Sequence, residues 1–130
     1  MKRIRKLIFS AALAFGAVAT PVTASNWYEI GGGTYYSLSV DLETIEWNGP
    51  VVTYWDKWVS TKPGDNLDFA KGRSMINCQT RMRRSLFTVE YYRDGTNGSS
   101  SLAGEWKPII PDTSVDGMRE FICKRRPRGK

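Results

Sequence analysis

The chain of 130 residues contains no histidine and only two cysteines, Cys78 and Cys123. The first absence removes the Ser-His and Cys-His machinery of ordinary nucleophilic catalysis, together with the commonest neutral metal ligand. The second removes a zinc cluster, because such sites need several Cys or His ligands at set spacings. Close carboxylate pairs in an apolar setting are also missing. Glu43 with Glu46, and Asp65 with Asp68, fall in polar turns and offer at most a weak calcium site. No enzyme, no resident metal and no cofactor is therefore expected. Internal repeats and long low-complexity tracts are absent, and past residue 18 so is any long apolar run.

What is present begins with "MKRIRKLIFSAALAFGAVATPVTAS". It combines a basic start (Lys2, Arg3, Arg5, Lys6), an apolar run from Leu7 to Val18 and small residues at Val22 and Ala24. This is the pattern of a secretory signal peptide, with cleavage expected after Ala24. The run falls short of the roughly 20 residues that span a bilayer, so the mature chain is expected to lack a transmembrane segment. No cysteine stands near the cleavage point. The expected product is exported, periplasmic or at the cell surface, and not lipid-anchored.

Removing the four basic residues of the leader from 19 Lys and Arg leaves 15 against 13 Asp and Glu, a net charge of +2. Such a balance excludes a polycation and makes nucleic acid a poor partner for an exported chain. The remaining length suits one small domain, 25–123, in which a covalent tie offsets a modest core. In an oxidising compartment the two cysteines supply that tie as a Cys78–Cys123 disulfide.

The mature chain reads as strands followed by one helix. Tyr36, Leu38, Val40 and Leu42 alternate with polar neighbours, the signature of a half-buried strand, and "NGP" at 48–50 supplies a turn. "VVTYWDKWVST" predicts a strand over 51–61 with two apolar faces, Val51, Trp55 and Val59 on one and Val52, Tyr54 and Trp58 on the other. One face is core and the second is either covered or free to bind. Strands are also expected up to Cys78 and from Arg81 to Arg93. The parity change between Ile76, Cys78, Met82 and Phe87, Val89, Tyr91 demands a turn or bulge between 78 and 87. "DGTNGSSS" reads as a flexible turn and "EWKPIIP" as an extended piece. Thr113 is placed as the N-cap of a helix whose Val115, Met118 and Ile122 recur at helical spacing and whose end carries Cys123. The tail 124–130, "KRRPRGK", lacks apolar residues and reads as a basic disordered end.

Several segments, in this order and spacing, carry a resemblance: "VDLETI", "NGPVVTYW", "KGRSMINCQTRMRR", "EYYRDG" and "EWKPIIPDTSVDGMREFIC". Together they resemble the bacterial surface-adhesin protein E family. The resemblance implies an α+β fold, an antiparallel sheet with a C-terminal helix packed on it and the Cys78–Cys123 bond. It also implies a non-catalytic binding module whose partners are extracellular-matrix or envelope proteins, or an acidic polysaccharide. A second class remains open, a periplasmic structural or accessory envelope protein with no host ligand.

Two sets of residues are candidates for partner binding. Arg81, Arg83 and Arg84, with Lys124, Arg125, Arg126 and Arg128 of the tail, form an anion-binding region if the disulfide brings them together; otherwise they are a solvated strand face and a soluble end. Tyr54 and Trp58 are either a recognition surface or cross-strand packing beneath the helix.

Overall fold

The computed structural model describes residues 25–128, so the expected leader, 1–24, lies outside the described residues, as do Gly129 and Lys130 at the end of the tail. Eight strands form one antiparallel sheet: β1 Trp27–Gly33, β2 Tyr36–Asp41, β3 Glu46–Asn48, β4 Val51–Ser60, β5 Leu67–Asn77, β6 Met82–Tyr92, β7 Asn97–Ser100 and β8 Lys107–Pro108. The order across the sheet is β1-β2-β4-β5-β6-β7, with β3 beside β4 and β8 beside β6. One helix, α1 Ser114–Cys123, follows. The expected α+β architecture is the observed one.

β4 is rich in β-branched and aromatic residues, which suit a pleated surface, whereas β5 has only Phe69 and Ile76 of these types and is a strand through its pairing with β4 and β6. Along β4 burial alternates, with Val52, Tyr54 and Asp56 buried and their odd-numbered neighbours half-buried. The even face meets the helix. Leu38, Val40, Val52, Tyr54 and Ile76 from the sheet close around Met118 and Ile122 from α1, all at most 1% exposed. Thr113 caps the helix as expected, its hydroxyl accepting from Asp116 N at 3.2 Å, while the Asp116 carboxylate accepts from Asp112 N. Tyr36 Oη and Ser114 Oγ lie 2.6 Å apart and fix the helix start over β2. At the other end Cys78 and Cys123 are bonded, with Cα atoms 5.8 Å apart and a sequence separation of 45.

The parity change in the β5–β6 region has two sources. Asn77 Oδ1 accepts from Gln79 N and Thr80 N, and Arg81 adopts φ 56°, which closes the turn 78–81. Farther along, Arg73 and Ser74 face Phe87 and Ser85, so Leu86 is an extra residue that bulges and swaps the faces of β6.

Some strands were not expected. β1 carries three consecutive glycines, Gly31 to Gly33, which erase the alternation that marks a strand. Part of the stretch read as a flexible turn, Asn97–Ser100, is instead β7, held by pairing with β6 rather than by any apolar pattern. β3 and β8 are two or three residues long and owe their existence to neighbours.

Candidate functional site

The helix covers one face of the sheet and, among the described residues, leaves the other open. Cross-strand register shows what the open face carries. Lys57 of β4 lies directly opposite Lys71 of β5, and Trp55 lies opposite Arg73, which in turn faces Phe87. On the other side of the lysine pair Phe69 faces Tyr91. Trp27 of β1 reaches the same region, its ring 5.9 Å from Lys57 Nζ and 5.7 Å from Lys71 Nζ. Phe69 holds the lysines from the opposite side, at 5.0 Å and 5.7 Å. Phe69 and Tyr91 stack with centroids 4.5 Å apart, and Trp55 meets Phe87 edge-on at 6.1 Å. All these side chains are half-buried. A shallow depression of about 240 Å³ opens here between Trp27, Trp55, Lys71, Thr44, Ser25 and Asp41.

Beneath the helix lies a different arrangement. Arg83 donates from Nε to Tyr54 Oη at 3.1 Å and from Nη2 to Ser74 Oγ at 3.0 Å, and pairs with Asp56 Oδ2 at 3.4 Å. Trp58 Nε1 donates to the second Asp56 oxygen at 3.1 Å. Burial pushes the Asp56 carboxyl up to about 6, although Arg83 and Trp58 pull in the opposite direction. Burial likewise raises the Tyr54 phenol to about 12. Gly72 leaves room for this group, because a Cβ there would stand 2.8 Å from Asp56 Oδ1. The result is a satisfied internal ion pair with its polar partners, and Arg83 also forms part of the wall of a cleft of about 350 Å³ with Pro108, Ile109, Ile110 and Val115.

The residues singled out from sequence are thus divided. Tyr54 is 0% exposed, so its ring is core and not a recognition surface; the helix that covers it is the reason. Trp58 sits on the same face, half-buried, beside Tyr36 in a depression of about 270 Å³. Arg83 is turned inward to Asp56 and does not stand with the other arginines. Arg84, its neighbour in sequence, falls on the opposite face by strand alternation and donates to Gly104 O at 2.8 Å. Arg81 is exposed in the turn. The disulfide brings the tail root to that turn. Lys124, Arg125, Arg126 and Arg128 are exposed, and Arg125 lies 3.6 Å over the Phe121 ring, which stacks on Tyr28. Lys57, Lys71, Trp27, Phe69, Phe87 and Tyr91 were not singled out. A usable signal was the second apolar face of β4, read together with the identical parity of Phe69, Lys71 and Arg73.

Among the described residues no group of His, Cys, Asp and Glu is placed to hold a metal ion, and no helix is long and apolar enough to cross a membrane. A family model described as surface-adhesin protein E matches residues 27–124. Two crystal structures of Haemophilus influenzae protein E have a similar fold. One superposes with a TM-score of 0.59 at 15% identity over 84% of this chain and 92% of that chain. The second, crystal form II, gives 0.58 at 16% identity over 82% and 94%. A search of curated proteins finds no match.

Proposed function

The chain belongs to the surface-adhesin protein E family, and from that premise we propose that it is an exported, non-catalytic module that holds a protein or polysaccharide through the open face of its sheet. One observation carries this reading. The aromatic rings of Trp27, Trp55, Phe69, Phe87 and Tyr91 and the cations of Lys57, Lys71 and Arg73 share the sheet face away from α1. Aromatic and cationic side chains gathered on one surface are the composition of binding anchors. Rigidity favours the same use, since the disulfide and the helix fix the reverse side and keep the open face from rearranging.

A non-catalytic role is supported by the chemistry at hand. Both cysteines are consumed in the disulfide, and the carboxyl most displaced from its ordinary value, Asp56, is 1% exposed and paired with Arg83. Export follows from the leader pattern, with residues 1–24 removed, 25–123 folding as one domain and 124–130 forming a basic tail. The module then works in the periplasm or on the cell surface.

Capture experiments test the reading. The exported protein, immobilised through its C-terminus, is presented with envelope fractions and extracellular-matrix proteins. A partner retained by the wild type and lost by Lys57→Gln/Lys71→Gln supports the open face. Retention unchanged in that variant overturns it. Added protease on intact cells then separates surface display from a periplasmic accessory role, because a displayed domain is cleaved and a periplasmic one survives until the outer membrane is opened.

A further inference from the structure

Lys57 and Lys71 are direct cross-strand neighbours on the open face, and among the described residues neither has a carboxylate within ion-pairing distance. Like charges placed opposite one another destabilise a sheet. Nearby rings relieve part of that repulsion, since both lysines lie over Trp27 and Phe69, but cation–π contacts do not cancel charge. An anion seated between the two ammonium groups would supply the missing counter-charge. Arg73, in the adjacent row, adds a third cation whose only carboxylate contact among the described residues is with exposed Glu46 at 3.5 Å. Paired residues two positions apart along a strand are about 7 Å apart, so these cations form a compact group flanked by rings on both sides.

We propose that this group is a site for an acidic polysaccharide, a chain of sugars bearing carboxylate or sulfate, with Lys57 and Lys71 taking the anionic groups and Trp27 and Trp55 taking the sugar rings. The inference rests on the reading of the open face as the binding face. The depression between Trp27 and Trp55 has flat apolar walls and hydroxyls at Ser25 and Thr44, a combination that meets both the C–H face and the hydroxyls of a sugar. Asp41, which also lines it, turns its carboxylate to three donors of its own, accepting from Asn26 N at 2.9 Å, Glu43 N at 3.1 Å and Thr44 Oγ1 at 3.1 Å, whose dipoles offset part of its charge. An acidic peptide is a poorer fit. In β4 and β5 the backbone groups are already paired on both sides with neighbouring strands, so this part of the face offers a peptide no strand to extend.

The site differs from the arginine and tail cluster, and the test separates them. The exported protein is titrated with a heparin oligosaccharide, a neutral dextran, polyglutamate and phosphatidylglycerol vesicles, with tryptophan fluorescence as the readout. Heparin is expected to perturb the fluorescence and bind, and dextran is not. Lys57→Gln/Lys71→Gln should weaken heparin binding by about tenfold or more, equivalent to about 1.4 kcal/mol, and flatten its salt dependence. Trp27→Leu should weaken it while leaving the salt dependence in place, and Arg126→Gln/Arg128→Gln should leave it unchanged. Unaltered thermal unfolding of each variant establishes that the fold is intact, and Lys→Gln on an open face removes the charge while keeping a polar side chain. Equal binding of polyglutamate or vesicles, or loss in the tail variant with retention in the lysine variant, overturns the inference. If heparin does not bind but the lysine variant still loses a captured protein, the glycan assignment falls and the binding-face reading stands; if neither is lost, both fall.

Discussion

Arg83→Met removes the cation from a buried group and tests whether the internal ion pair is as tightly coupled as its geometry implies. In the wild type burial lifts Asp56 from 3.8 to about 6, so the folded chain holds this proton more firmly than the unfolded chain does. The stability contributed by that protonation is present in full below about pH 4 and is lost as the pH rises through about 6. Without Arg83 the carboxyl has lost its counter-charge and titrates higher still, so the variant keeps paying for ionisation, or for retaining the proton, where the wild type no longer does. Breaking a buried pair from one side costs roughly 3–5 kcal/mol near neutral pH. Between about pH 6 and about pH 7.5 the two proteins differ by about one bound proton, worth about 2 kcal/mol over that interval. The loss in urea unfolding should therefore be about 2 kcal/mol larger at about pH 7.5 than at about pH 5. The part that remains at low pH reflects Tyr54 Oη and Ser74 Oγ, which lose their donor. Adding Asp56→Asn should abolish the pH dependence of the difference. An equal loss at both pH values would refute the coupling.

Other perturbations address the scaffold. Cys78→Ser/Cys123→Ser opens a 45-residue loop and should lower stability by about 3–4 kcal/mol in urea unfolding, with native circular dichroism retained at low temperature. Ile122→Ala deletes a fully buried side chain between α1 and the sheet and should cost about 2–5 kcal/mol, read from the same transition. Gly72→Ala should destabilise and also weaken the Trp58–Asp56 hydrogen bond, because the new Cβ displaces the Asp56 carboxylate; the indole N–H resonance of Trp58 reports it.

How much of this was legible varies with how far each residue's neighbours lie in sequence. β4 and α1 carry their own periodicity, so Met118 with Ile122 and Val52 with Tyr54 could each be assigned to one face without a fold, but which face of β4 is core took the helix to decide. The disulfide followed from there being two cysteines in an exported chain. β1 and β7 were invisible because Gly31 to Gly33 and "NGSS" have no apolar alternation; pairing with β2 and β6 makes them strands. The basic cluster misled for a related reason. Arg81, Arg83 and Arg84 are close in sequence, yet a turn residue and two alternating strand positions point three ways, and the charge of Arg83 is spent on Asp56, which lies 27 positions earlier. Conversely, Lys57 and Lys71 are separated by a loop and become neighbours only through β4–β5 register. Parity gives the face of each lysine, but nothing local gives the register.

The most direct test of the open face as the binding face is a lysine footprint on the native protein. Acetylation is measured by mass spectrometry on the purified protein and on the protein in intact cells, with the reactivity of Lys57 and Lys71 taken relative to Lys62, Lys107 and Lys124 of the same molecules. An occupied open face shields Lys57 and Lys71 in cells and leaves the other three as reactive as in the purified state. Unchanged relative reactivity of Lys57 and Lys71, with protection at Lys107 or Lys124 instead, would contradict the account and move the partner to the helix side of the domain.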